Sequence, residues 1–277
     1  MGKRKNKIYY LHIPKTAGTV LNSFLQQYIS KACTIEHIES KKEFLLNLSN
    51  IYERYDFISG HIPIENIEKI LHENLNKYQS IVTFRNPLEH VLSHLTYVKE
   101  ILFSKKRFQE HDKNIQKIIL KLNEVDFSKL DDLEEMIKWL ETNNFYLFHN
   151  VQTVYLSTQP ASRPVGLLEL RKAMKNIEKL DFVGLQEELN KFMLMLAYYL
   201  DKKPDDIVEK KLNITNERYG LDITNKEVQK ILYPLYDLDI ILYDKAYKIF
   251  IDKYYDFVKL IELEKNDIFL KKYKQLI

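Results

Sequence analysis

The chain has 277 residues, 42 of them Lys or Arg and 39 Asp or Glu, with 45% hydrophobic residues, 6 Gly, 7 Pro and 1 Cys. Those proportions exclude disordered, collagen-like and disulfide-stapled classes and leave ample apolar material for a core. A formal net charge of +3 is too mild for a dedicated nucleic-acid binder, so any anion site must be local.

After a basic start, residues 8–13 are a short β-rich run closed by Pro14, too short in its apolar part for a signal peptide. Lys15, Thr16, Ala17, Gly18 and Thr19 follow, and then Leu21, Phe24, Leu25 and Tyr28 recur at helical spacing. This reads as strand, tight loop, helix. Cys33 stands alone, which suits a reducing compartment, and is expected to be a small buried residue. Further apolar runs at 56–60, 80–84 and 181–184 end at His61, at Arg85-Asn86-Pro87 and before a helix over 186–200. Four buried-looking strands alternating with helices predict an α/β fold with a parallel sheet flanked by helices.

Residues 101–144 are rich in Lys, Glu and Asp, with Ile115, Ile118, Ile119 and Leu122, then Leu133, Met136, Ile137 and Leu140, at helical spacing. They read as a helical insertion. Residues 159–164 form a Pro- and Ser-bearing loop, and 231–259 a tyrosine-rich helical stretch whose rings, like Trp139, are expected to pack inside. The longest apolar run, 192–200, falls well short of the ~20 residues of a membrane span. No linker divides the chain, so 1–277 is expected to form one domain. Abundant Lys, Ile, Asn and Tyr with scarce Gly fit an AT-rich, bacterial coding bias.

In a parallel α/β sheet, ligands bind at the carboxyl ends of the strands, which is where Pro14, Gly18, Gly60, Pro63, Pro87 and Gly184 fall. The PKTAGT loop puts backbone amides, two hydroxyls and a lysine at a helix start, a ready anion cradle. It is not a nucleotide-triphosphatase loop of the GxxxxGK[ST] kind, because Lys15 precedes Gly18 and the first glycine is missing. Arg85, with its planar fork of donors, and Ser93, two helical turns on, are placed to hold a second anion. A structural role is open to both: Arg85 paired with Glu89, Ser93 as a small packing residue. Two anion sites at neighbouring strand ends imply a ligand with two separated phosphates. His90 and His94 lie one turn apart, but HVLSH lacks the Glu of HExxH and a third ligand, so no metal is assigned.

At these residues the chain resembles the sulfotransferases that use 3′-phosphoadenosine 5′-phosphosulfate (PAPS). PKTAGT resembles their 5′-phosphosulfate loop, FRNPLEHVLSHL their 3′-phosphate motif, and FISGHIP the segment carrying the catalytic histidine in heparan sulfate 2-O-sulfotransferase relatives. HNVQTVYL, DFVGLQEEL, KLNITNERYG and DLDIILYDKA resemble later blocks of the carbohydrate sulfotransferases; 101–144 matches none of them. The chain departs from the pattern at Asn86 and His90, at Val154 after the Gln-Thr pair, and at Ser59, where the 2-O-sulfotransferase relatives carry another histidine.

The resemblance implies a P-loop NTPase-like sheet and transfer of a sulfuryl group from PAPS to a hydroxyl acceptor, a carbohydrate or glycan, leaving adenosine 3′,5′-bisphosphate and needing no metal. Lys15 would neutralise the leaving phosphate and His61 act as general base. Thr16, Ala17, Gly18 and Thr19 would hold the 5′-phosphate, Arg85 and Ser93 the 3′-phosphate, and Asn213 and Thr215 would close over the nucleotide. A cytoplasmic location without membrane span or nucleic-acid partner is expected, with the oligomeric state unread. A P-loop kinase or nucleotide triphosphatase, and a non-catalytic PAPS-binding protein, stay open as alternatives.

Overall fold

The computed structural model describes residues 7–40, 51–158, 160, 163–202 and 219–276. Five strands, β1 (Lys7–Leu11), β2 (Thr34–Ile35), β3 (Phe57–Gly60), β4 (Tyr78–Phe84) and β5 (Phe182–Leu185), form one parallel sheet in the order β2-β3-β1-β4-β5. β1 is central and covered on both faces, which is why Ile8, Tyr9, Tyr10 and Leu11 are all buried rather than alternating. Leu11 stands opposite both Gly60 and Val82. The carboxyl ends of β1, β3 and β4 therefore lie close together, and so do the loops that leave them.

Four of the strands match the apolar runs legible in the sequence. β2, only two residues long, does not emerge from the pattern; its pairing of Thr34 with Phe57 and Ile35 with Ile58 extends the sheet past β3.

The helices are α1 (Gly18–Gln26), α2 (Ile51–Arg54), α3 (Ile64–Leu71), α4 (Pro87–Glu100), α5 (Lys105–Glu110), α6 (Lys113–Glu124), α7 (Leu130–Thr142), α8 (Val151–Leu156), α9 (Leu167–Ile177), α10 (Leu189–Tyr199), α11 (Lys226–Leu232), α12 (Asp237–Leu263) and α13 (Asp267–Leu276). α4 starts as its sequence dictates: Pro87 occupies the first turn, where a missing N–H costs nothing, and the Asn86 side chain accepts the Glu89 amide at 3.3 Å. Gly184 lies in β5 because Phe192 of α10 packs against it; a Cβ there would fall 2.3 Å from the ring.

Two apolar clusters result among the described residues. The first holds the sheet with α1, α3, α9, α10 and α12. The second joins Val91 and Leu95 of α4 to Ile119 and Leu122 of α6, Met136 and Leu140 of α7, and Leu232 of α11. Residues 101–144 are helical as expected, carrying α5, α6 and α7. Lys99, buried on α4, ties them down: its ammonium donates to the Leu122 and Val125 carbonyls at 2.9 and 2.6 Å, at the end of α6.

Two expectations are corrected. Cys33 is only half-buried, because it ends a surface turn rather than facing the sheet. In the tyrosine-rich stretch Tyr236 and Tyr254 are buried, but Tyr233, in the short turn before α12, and Tyr247 and Tyr255, on the face of α12 left to water, are exposed. Among the described residues, no helix is long and apolar enough to cross a membrane.

Candidate functional site

Beyond Leu11 the chain leaves the ladder, and Pro14 brings no N–H to continue it. Lys15 and Ala17 both adopt left-handed backbone, each with φ 66°, which costs a non-glycine residue about 1–2 kcal/mol. Such conformers turn successive amides to one side and form anion-binding nests. Among the described residues, the amides of Lys15, Thr16, Ala17, Gly18 and Thr19 donate to no backbone carbonyl. They sit at the positive end of α1.

The loop is pinned from beneath. The buried Thr16 hydroxyl donates to the Ile13 carbonyl at 2.9 Å, and the Thr83 hydroxyl of β4 donates to the Thr16 carbonyl at 2.9 Å. Of the two hydroxyls expected to face an anion, that of Thr16 is thus turned inward, and Thr16 has only its amide to offer; Thr19 is exposed.

Cations gather above the loop. The Lys15 ammonium lies 4.4 Å from the centre of the Tyr97 ring, and the Arg107 guanidinium 5.0 Å from the same ring. Burial is the main cause that lowers the Lys15 pKa, with Arg85 and Arg107 adding to it and Glu100 opposing. Arg85 Nη1 donates to the Lys15 carbonyl at 3.3 Å, and Nη2 lies 3.5 Å from Glu89. The pairing with Glu89 therefore does form, yet the arginine still lines the cleft. A cleft of about 290 Å³ brings together Lys15, Gly18, Thr19, His61, Arg85 and Ser93. Ser93 is buried on α4 beneath it.

His61 leaves β3 opposite the loop. Its Nδ1 lies 2.7 Å from the His12 carbonyl; a carbonyl only accepts, so Nδ1 carries the proton and Nε2 keeps a lone pair. Burial lowers its pKa, against the opposing pull of the His12 carbonyl and Glu39. The His12 ring stacks on Tyr10 and sits 4.2 Å from the His61 ring. Burial, with His61 and His37 nearby, depresses the His12 pKa to about 2. Gly18 is a glycine because of this ring: a Cβ there would lie 1.6 Å from His12 Nε2. Ser59 donates to Asn22 at 2.9 Å and is buried away from the cleft lining.

The two histidines of α4 have separate tasks. His90 Nε2 donates to the Pro14 carbonyl at 2.7 Å and braces the loop, while His94 meets the edge of Phe148. Burial lowers their pKa values to about 4 and about 3.

A buried network steadies Arg85 from the far side. Gln152 of α8 holds its main chain, and Asp239 of α12 accepts the Gln152 and Thr153 amides at 3.1 and 2.7 Å and the Thr153 hydroxyl at 2.7 Å. In return Asn150 accepts the Leu238 and Asp239 amides at 2.9 and 3.0 Å, so α8 and α12 cap each other. Burial pushes the Asp239 carboxyl up to about 7 against these donors.

A second cavity, of about 810 Å³, shares Pro14 with the cleft and opens between Ile115 and Ile118 of α6 and Tyr155 of α8. Trp139 packs on Phe145 rather than facing that space. Asn213 and Thr215 lie outside the described residues, as does most of the 159–162 stretch.

His12, His37, Tyr97 and Gln186 also line the cleft and were not singled out from the sequence. Tyr97 follows Ser93 by four positions and so shares its helix face; Arg107 carries no local signal. The chain matches no protein-family model, and no curated protein matches it.

Proposed function

We propose that this protein is a PAPS-dependent sulfotransferase with a P-loop NTPase-like sheet, acting on a hydroxyl of a carbohydrate or glycan. The observation that carries the reading is the convergence, in one cleft, of the PKTAGT loop, the Arg85–Ser93 pair and His61. The strand order supports it, since the chain passes from one side of β1 to the other between β3 and β4, and ligands bind at such a switch point.

In the reaction the bond from sulfur to the 5′-phosphate oxygen breaks as a bond to the acceptor oxygen forms. The free amides of the loop hold the 5′-phosphate, and Lys15 neutralises the charge that grows on the departing oxygen. Its depressed pKa reflects a partly desolvated ammonium, whose field is less screened than in water. Arg85 and Ser93 hold the 3′-phosphate and fix the nucleotide in register. His61 Nε2 takes the acceptor proton, with the His12 carbonyl keeping the ring in the required tautomer. The larger cavity beyond Pro14 is the natural berth for the acceptor, with α6 forming one of its walls.

The direct test is transfer of labelled sulfate from PAPS to a panel of glycans and hydroxyl compounds. Transfer that disappears in Lys15→Ala and drops in His61→Ala, with donor binding largely kept in the latter, is the expected result. Unchanged turnover in His61→Ala removes that residue as the base.

A further inference from the structure

Three donor groups meet at the rim of the cleft, brought there by the short strand β2. Because Ile35 pairs with Ile58, the chain leaving β2 runs beside the end of β3. His37, Glu39 and His61 each offer one ligand atom, and these atoms lie within 4.8 Å of one another. They are the one such group among the described residues.

Independent features bring the three together. Glu39 Oε2 accepts the His61 amide at 2.9 Å, and Oε1 lies 3.2 Å from His37 Nδ1. A Cβ on Gly60 would come within 2.7 Å of Glu39 Oε2, so the bare backbone there is what admits the carboxylate. His37 takes left-handed backbone, φ 51°. The hydrogen bond from His61 Nδ1 to the His12 carbonyl is the outer-sphere contact that metal-ligating imidazoles make, and it leaves Nε2 as the ligand atom.

We propose that His37, Glu39 and His61 bind a divalent transition-metal ion of the zinc type, and that the bound ion silences His61. Two imidazoles and a carboxylate suit such an ion, whereas Mg²⁺ and Ca²⁺ prefer all-oxygen sets. Three protein ligands with an open fourth position is the arrangement of accessible zinc sites. Bonds of ~2.0 Å in a tetrahedron require donors about 3.3 Å apart, so an ion would draw the three atoms in from their present spacing, with His37, whose side chain is 56% exposed, the one with most freedom to turn. The Nε2 lone pair cannot both hold the ion and accept a proton. That inhibitory consequence rests on the sulfotransferase reading, while the metal site does not.

The test is a titration of the metal-stripped, tag-free full chain with ZnCl₂ in competition with a chromogenic chelator, repeated in excess Mg²⁺. One zinc per chain is expected, unaffected by Mg²⁺ and by the control His111→Ala. His37→Ala and Glu39→Gln should weaken it by at least the roughly 10–100-fold that loss of an outer-sphere partner costs, with unfolding temperatures showing that both variants are folded. Absence of stoichiometric zinc, or zinc binding indifferent to both substitutions, overturns the proposal. Binding of adenosine 3′,5′-bisphosphate is measured alongside. Zinc binding without nucleotide binding upholds the metal site and removes the sulfotransferase reading; nucleotide binding without zinc does the reverse. Where both bind, zinc should suppress transfer in the unsubstituted chain and do so less in His37→Ala; equal suppression in the two overturns the inhibitory half.

Discussion

Gln152 grips both main-chain groups of Arg85: its Nε2 donates to the Arg85 carbonyl at 2.9 Å, and its Oε1 accepts the Arg85 amide at 3.0 Å. A buried amide side chain on α8 thereby fixes where β4 ends and where the arginine fork begins. Asp239 in turn holds the amide of Gln152, so a residue of α12 acts on the cleft through two relays.

Gln152→Ala removes two hydrogen bonds at a buried position and leaves the Arg85 main chain without them. An unpaired buried group costs about 1–3 kcal/mol, so the variant should unfold at lower denaturant. It should also bind adenosine 3′,5′-bisphosphate more weakly than AMP would suggest, because Arg85 is no longer held in register. Unfolding curves and calorimetry on the same preparation check both; full nucleotide affinity with lowered stability would show that the relay is structural alone.

Gly18→Ala places a methyl group where His12 Nε2 lies, 1.6 Å away, and the ring must move. Overpacking of this kind typically costs about 1–3 kcal/mol. Because the His12 carbonyl orients His61, turnover is expected to fall more than donor affinity does. A variant as stable and active as the unsubstituted chain would contradict the packing described for this loop.

Glu169 sets an acid limit on stability. It is buried, pairs with Arg163 at 2.9 Å and accepts the Gly166 amide at 2.8 Å, and its pKa falls from 4.5 to about 2, chiefly through the bond to Arg163. A depressed carboxyl stabilises the fold above its unfolded pKa and loses that contribution as pH falls through its folded value. Stability should therefore decline between about pH 4.5 and pH 2, and Glu169→Gln should flatten that part of the curve. An identical acid slope in the two proteins would contradict the assignment.

Much of this architecture is legible in the residues, for definable reasons. β1, β3, β4 and β5 are buried along most of their length, so each appears as a short, mostly apolar run, and Pro or Gly marks where several of them end. Lys15, Arg85 and His61 lie just past those ends, Ser93 two turns into the helix after Arg85, and the structure gathers the four in one cleft. β2 escapes notice because two residues hold no pattern, and with it His37 and Glu39, whose place depends on pairing with β3. Arg107 reaches the site only through the packing of α5 near α4, a tertiary matter. Thr16 illustrates the opposite limit: its position in the loop is evident, but not that its hydroxyl bonds back to the Ile13 carbonyl while its own carbonyl is held by Thr83, 67 residues away.

A site for a nucleotide with phosphates at both the 3′ and 5′ positions is tested most directly by calorimetric titration, without knowledge of the acceptor. Adenosine 3′,5′-bisphosphate, AMP, and ATP with Mg²⁺ are compared on the unsubstituted chain and on Arg85→Ala. Tight binding of the bisphosphate that is indifferent to Mg²⁺, far weaker binding of AMP, and loss of that preference in Arg85→Ala are expected. Failure to bind the bisphosphate, together with Mg²⁺-dependent binding of ATP, would contradict the sulfotransferase reading and make the cleft that of a kinase or nucleotide triphosphatase.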